Sequence, residues 1–335
     1  MNKCLLLFII ICSLFYSCET ELDINSDWEE ITVVYGLLDQ TQSHQYIRVN
    51  KAFLGKEGAM VMASIADSIN YNPNDIEVKI DRVSSEGIIK DTRYLSDTLM
   101  IKDFDSLGFS SDNNIIFFTK TDEFFKENFK YKITVTNLIS GKIVTSETKL
   151  IYDFNLMPTL NNPAFRLSFV NGVGGFSNPE VTWDYANNAS IYQMSLILHF
   201  IEYFSDGSSR IDSIIKTFPV QSYSSNSDGM SQIINGQDFF NFISYNIIEK
   251  PSVINRRIND VDLSFSLGGS ALNSYIKRNE PPTGIVQERD LYTNIENGVG
   301  LFSCRYTRRH NGLKLNEATK EAIADQLENL NFEYP

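Results

Sequence analysis

Histidine and cysteine are both scarce in this chain, and their scarcity removes whole classes of chemistry. Three histidines stand in 335 residues, His44, His199 and His310. No His-Glu-x-x-His pattern occurs and no pair has metal-ligand spacing, so no metal site is expected. A Gly-x-Ser-x-Gly elbow is missing, which removes the commonest hydrolase signature. Gly172-Val173-Gly174-Gly175 does not open a helix, so a dinucleotide site fails on context. Asp103-Phe104-Asp105 with Gly108 lacks the later ligands and closing Glu of a calcium loop. Bases are outnumbered, with 29 Lys and Arg against 42 Asp and Glu and a formal net charge of -13. An acidic surface disfavours nucleic acid and charge-driven binding to anionic lipid.

The four cysteines lie at positions 4, 12, 18 and 304. The first three belong to the opening segment. Met1-Asn2-Lys3 is a short positive start, and Cys4 to Tyr16 carries no charge. That apolar run of about a dozen residues suits a secretory signal and is too short for a spanning helix, which needs about 20. It closes on Leu14-Phe15-Tyr16-Ser17-Cys18, a small residue directly before a cysteine. This resembles the bacterial lipobox, although Phe15 and Tyr16 are bulkier than the usual pattern. The resemblance implies cleavage before Cys18, diacylglycerol on its sulfur and an acyl group on its amine. Stable anchoring takes more than one chain, and this arrangement supplies two or three. Cys304 would then be the one thiol left, so no intrachain disulfide is expected and the fold must hold by burial.

Residues 19–30 hold six acids and no base, the composition of a solvated tether. An acidic stretch just after an acylated cysteine also resembles the surface-export signal of Bacteroidota lipoproteins. From Ile31 the pattern turns to alternation. Expected strands cover Ile31 to Leu38, Gln45 to Phe53, Asp75 to Val83, Ile88 to Leu95, Asn114 to Thr119, Tyr131 to Leu138 and Ile143 to Leu150, the last two joined through Ser140-Gly141. Ala59 to Ile69 has helical spacing, and Thr121 to Phe129 reads as one or two helical turns. Leu156 to Pro163 is the expected linker. Beyond it, strands are expected at 165–169, 179–184, 191–204, 210–220, 260–267 and 298–306. Helices are expected at 237–245 and 270–277, with an amphipathic one at 319–330 carrying Ile323, Leu327 and Leu330 on one face. Trp183 on one strand and Tyr192 on the next look like a fibronectin type III core. The expected architecture is mainly β: two β-sandwich domains of immunoglobulin or fibronectin type III kind, a few short helices and a C-terminal helix. The expected limits are 1–17 signal, 18–30 tether, 31–153 N-terminal sandwich and 164–335 C-terminal β-rich domain.

Three stretches carry a wider resemblance: Val34-Tyr35-Gly36-Leu37-Leu38 with Tyr46 to Gly55, Asp67-Ser68 with Asn70-Tyr71, and Tyr292 to Phe302. They are similar to uncharacterised Bacteroidota lipoproteins grouped under a domain of unknown function, the forty-two forty-nine type. The resemblance implies a lipid-anchored, mostly β protein of the outer membrane, on its cell-surface or periplasmic face, and an accessory role beside a TonB-dependent receptor. It supplies no catalytic residues and no cofactor.

The function expected is therefore non-catalytic, an accessory or ligand-binding subunit of an outer-membrane transporter. A surface adhesin binding host or matrix polymer is the alternative, and a glycan-processing enzyme the second. A small molecule or glycan is the expected ligand class, nucleic acid is not a partner, and the membrane is reached through the N-terminal anchor. Aromatic residues on loops 222–229 and 279–292, Tyr223 and Tyr292, with Asn294 beside them, are the expected contacts. Asn294 to Gly300 has a structural reading too. Asn297-Gly298 signals a tight turn, and Gly300 admits a close backbone before a core strand. Cys304 alternates with Phe302 and Tyr306 and reads as a buried, inert thiol. The basic cluster of Arg305, Arg308, Arg309 and Lys314 reads as solubility and pairing rather than an anion site.

Overall fold

A computed structural model describes residues 30–53, 69–100, 114–172, 174–223, 229–280 and 292–334. The signal, Cys18, the tether, nearly all of the helix expected at 59–69 and the Asp103–Gly108 stretch lie outside these residues.

The protein is mainly β, built of packed sheets with three α-helices among the described residues. In chain order the strands of the N-terminal lobe are β1 (Glu30–Leu38), β2 (His44–Phe53), β3 (Ile76–Val83), β4 (Ile89–Tyr94), β5 (Ser96–Met100), β6 (Asn114–Lys120), β7 (Lys130–Asn137) and β8 (Ile143–Lys149). Then come β9 (Arg166–Leu167), β10 (Glu180–Trp183), β11 (Ile191–Phe204), β12 (Ser209–Thr217), β13 (Gln221–Ser222), β14 (Met230–Ile233), β15 (Val253–Gly268) and β16 (Val299–Leu315). The helices are α1 (Gly236–Asn246), α2 (Ser270–Asn279) and α3 (Glu317–Gln326).

The N-terminal lobe is a sheet-on-sheet packing. Alternation decides which side chains meet between the sheets. In β3, Ile76, Val78 and Ile80 are buried while Glu77 is exposed. They meet Val34 of β1, Ile47 and Val49 of β2, and Ile133 and Val135 of β7 in one core. One of the two sheets runs β4-β3-β7-β8. The other contains β1, β2, β6 and β5 and continues into the C-terminal lobe as β12-β11-β15-β16-β1-β2-β6-β5.

That continuity rests on β16. Its first half, Val299 to Cys304, runs parallel to Val33–Leu38 of β1. Its second half pairs antiparallel with β15, from Arg305 opposite Gly268 to Leu313 opposite Val261. A single strand thus places Phe302 in the N-terminal core and Cys304, Leu313 and Leu315 in the C-terminal one. Gly300 makes the parallel contact possible. At φ +124 its absent Cβ would lie 2.0 Å from the Val34 carbonyl oxygen, a separation no side chain tolerates.

The C-terminal lobe packs one sheet against helices and a two-stranded ribbon of β10 and β14. Asn235 caps α1 by accepting the Asp238 N–H at 2.9 Å. The helix then buries Phe239, Phe240, Phe242 and Ile243, with the Phe239 ring stacked 3.8 Å from Phe169. Asn316 caps α3 in the same way, on Thr319. Ile323, Leu327 and Leu330 are buried together, the face expected from their spacing. Trp183 and Tyr192 also meet in this core, their rings 6.5 Å apart.

Three local expectations are corrected. Residues 121–129 form reverse turns rather than helix. Asp122 anchors them by accepting the Phe124 N–H, and Phe124 and Phe125 drop into the core. The strand expected at 165–169 is only Arg166–Leu167, because Phe169 turns its ring toward α1. The stretch 156–163 contains a 3-10 turn, Pro158–Asn161, and buries Leu156 and Leu160 in the C-terminal core.

Candidate functional site

The outer face of the β1–β2–β6 sheet carries its aromatic residues toward solvent. Register puts Tyr35 opposite Arg48 on β2 and Leu301 on β16, and puts Tyr46 opposite Phe118 on β6. Alternation makes this the face turned away from the Ile47 and Val49 core. α2 lies over part of it, because the chain leaves β15 at Gly268 and Gly269, both pressed against neighbours. A Cβ on Gly268 would meet Leu272 at 2.8 Å, and one on Gly269 the Cys304 sulfur at 2.7 Å. The helix therefore sits close enough for Tyr275 to meet Tyr35 edge-on at 6.2 Å.

Between α2 and the sheet runs a groove of about 470 Å³, lined by Tyr35, His44, Tyr46, Tyr275, Leu301 and Arg305 among others. Tyr46 is 47% exposed and Tyr35 39%. The Tyr46 ring stacks on Phe118 at 6.3 Å, and His44 lies 6.1 Å from Phe118, so three rings form one platform. Polar groups are buried beneath the groove. Asp39 is buried and lies 3.0 Å from the half-exposed Arg305 Nε. Its other carboxylate oxygen accepts from the Thr41 hydroxyl and N–H, and Gln45 clamps its backbone from both sides. Burial, with the Tyr275 hydroxyl next to it, pushes the Tyr35 phenol above its usual pKa. Tyr35 therefore keeps its proton at neutral pH and stays a donor. Flat apolar ring faces beside Arg and phenol groups suit a ligand with apolar faces and many hydroxyls.

The residues expected from the loops are placed apart from this groove. Tyr223 is exposed, meets Tyr185 edge-on at 4.3 Å, and its N–H donates to Ser190 O at 3.0 Å. Tyr292 is half-buried. The Asn294 side chain is spent on the strand itself. Its Nδ2 donates to Phe302 O at 2.7 Å and its Oδ1 accepts the Phe302 N–H at 3.0 Å. Asn294 thus closes the polar edge of β16 where Phe302 enters the core.

A second concavity, of about 410 Å³, lies where the lobes meet, lined by Lys130, Lys149, Asn188, Ser270, Ser303 and Cys304 among others. Lys130 is already paired with Glu147 at 3.0 Å, and the Ser303 hydroxyl accepts the Leu272 N–H. The Cys304 thiol is buried, and burial pushes its pKa up to about 11. It is neutral at physiological pH and no nucleophile.

Tertiary pairing also assembles a cluster that spacing did not reveal. His199, Asp260 and Asp262 bring their ligand atoms within 4.8 Å of one another, at β-bulges in β11–β15 and β15–β16. Each member already has partners. His199 Nε2 and Asp262 Oδ2 are 3.1 Å apart, Gly312 N–H donates to Asp262, and Lys314 Nζ lies 3.6 Å from Asp260. The lysine provides the positive charge that a cation would otherwise bring, and the set pins the bulges.

Of the basic residues of β16, Arg305 latches the two lobes together and Arg308 fastens the segment that follows β8. Arg305 reaches Asp39, and Arg308 reaches Asp153 at 2.5 Å and Phe154 O. Burial alone would raise the Asp153 pKa, but hydrogen bonds from the Phe154 N–H, Tyr306 and Arg308 hold it below the usual carboxylate range. No family model and no curated protein matches the chain.

Proposed function

We propose that this is a non-catalytic, lipid-anchored binding protein of the bacterial outer membrane, held through Cys18, that presents its aromatic groove to a glycan or a similarly polyhydroxylated ligand. The observation that carries the reading is the groove itself. Tyr35 and Tyr46 leave ring surface open to solvent with Tyr275 beside them, next to the half-exposed Arg305 guanidinium, which can donate to hydroxyl groups. Stacking supplies affinity with little demand for one ligand geometry, and Arg305 with the phenol groups supplies orientation. The Leu14 to Cys18 segment supports the anchor. The family resemblance adds a TonB-dependent receptor as the partner to which the ligand is handed.

Full-length protein in mild detergent, screened on a glycan array, tests the reading. Replacing Tyr35 and Tyr46 together by alanine is expected to weaken any retained binding by about tenfold or more, since each aromatic contact contributes on the order of 1 kcal/mol. Binding that survives this change and disappears in Tyr223→Ala would move the site to the Tyr185–Tyr223 edge. Anchoring is tested separately, because Cys18→Ala is expected to abolish fatty-acid labelling.

A further inference from the structure

We propose that the β7–β8 hairpin tip is a second membrane contact, inserting Leu138, Ile139 and Ile143 into the bilayer interface beside the acyl anchor. The inference rests on the Cys18 anchor read above and adds an orientation to it.

The tip is apolar and held outward. Leu138 is 56% exposed, Ile139 78% and Ile143 50%, three large aliphatic side chains within six residues. A polar frame fixes the turn beneath them. Asn137 Oδ1 accepts the N–H groups of Ile139 and Ser140 at 2.9 and 3.0 Å. Gly141, at φ +72, supplies the left-handed residue the turn requires, and its N–H donates to Asn137 O. Leu138 N–H donates to Asp75 O at 2.8 Å, which ties the tip to the start of β3. The N–H groups of the turn are therefore paired while its apolar side chains stand exposed. Such a tip can enter the hydrated headgroup region without stranding its N–H groups.

Its neighbour decides the occupant. Lys142 Nζ donates to Glu30 O at 2.9 Å, Asn137 Nδ2 donates to Glu30 Oε1 at 3.0 Å, and the Tyr71 hydroxyl donates to the same oxygen at 2.7 Å. Glu30 opens β1 and follows Cys18 by twelve residues. A chain of that length reaches at most about 40 Å. The tip thus touches the point where the arm to the lipid leaves the folded body. At the other end of β1 lies the groove, at Leu37, Asp39 and His44. A nine-residue strand is about 30 Å long, so seating the tip turns the groove away from the bilayer.

The test uses the lipidated full-length protein on vesicles of phosphatidylethanolamine and phosphatidylglycerol. An environment-sensitive fluorophore is placed on Ile139→Cys and, as a control, on Ile88→Cys, exposed at the far end of the same sheet. Cys304 is buried and Cys18 acylated, so the introduced thiol takes the label. The 139 probe is expected to shift to the blue and to lose about fivefold in quenching by aqueous iodide, while the 88 probe reads water. Flotation of the vesicles reads the anchor independently. Protein that floats with equal quenching at 139 and 88 overturns the tip contact and leaves the anchor standing. Shielding of the 139 probe that appears only when a membrane β-barrel is added overturns it too, in favour of a protein partner. Protein that fails to float removes the anchor and the tip contact with it.

Discussion

The two lobes solve the burial problem by different means. The N-terminal lobe closes two sheets on each other and fills the space with inward-facing strand residues such as Val34, Ile47, Val78, Ile80 and Phe117. The C-terminal lobe has one sheet to cover and covers it with helices and a short ribbon, bringing Phe239 and Ile323 from the helices and Trp183 from the ribbon. It also buries a complete ion pair. Glu202 and Arg256 are both fully buried, with Arg256 Nε and Nη2 on Glu202 Oε1 at 3.1 and 2.9 Å. Arg256 further donates to Leu330 O and Ile248 O, and Lys250 and Arg210 reach the same carboxylate from the rim. Burial alone would raise the Glu202 pKa, but Lys250 and Arg256 hold it below the usual carboxylate range. Sheet-on-sheet packing satisfies its backbone through the ladders. A helix-covered sheet leaves chain ends such as Leu330 to be tied by side chains, and Arg256 does that.

This difference sets the largest expected effect. Arg256→Ala leaves Glu202 buried without its main partner and should cost about 3–5 kcal/mol by chemical denaturation. The paired change Glu202→Leu with Arg256→Met should recover part of that loss, since neither charge is then stranded. Trp183 fluorescence, read in a Trp28→Phe background, and far-UV circular dichroism should shift together, because β16 belongs to both cores. Separate transitions would show two lobes that unfold on their own. Next is Gly300→Ala, which forces a Cβ against the Val34 carbonyl at positive φ and should cost about 2–4 kcal/mol. Equal stability there would mean that β1 and β16 are not tightly paired.

A pH effect follows in size. The Cys304 thiol has its pKa raised from 9.0 to about 11, mainly by burial. Its contribution is fully present below the unfolded-state value and is lost as pH rises from about 9 to 11, on the order of 2 kcal/mol. Cys304→Ala should flatten that alkaline limb of the stability profile. An unchanged slope would assign the limb to buried tyrosines such as Tyr131, itself pushed up to about 12. The smallest effect expected is that of Asn294→Ala, about 1–2 kcal/mol for the two hydrogen bonds to Phe302, with glycan binding at the groove unchanged.

Much of the local structure was legible. Alternation located β1, β2, β3, β7, β8 and β11, since period-two burial needs no knowledge of the partner strand. Ile323, Leu327 and Leu330 marked a buried face, while the caps Asn235 and Asn316 went unread. Less legible was the short, solvent-facing β5, whose residues carry no apolar period. The turns at 121–129 read as helix because Phe124, Phe125 and Phe129 mimic helical spacing.

By itself the sequence determined the β character, the apolar faces, the close approach at Gly300, the inert setting of Cys304 and the lipobox-like segment ending at Cys18. Each follows from residue type and short-range spacing. Tertiary structure alone decided that β16 would run parallel to β1 and then antiparallel to β15, joining two cores through one sheet. It also decided that α2 would lie over Tyr35, and that His199 would meet Asp262, 63 residues away. The reason is physical. A strand's side-chain period fixes which face is buried, but hydrogen bonds along its edges are the same for any partner. Register and neighbour are chosen only when whole sheets pack.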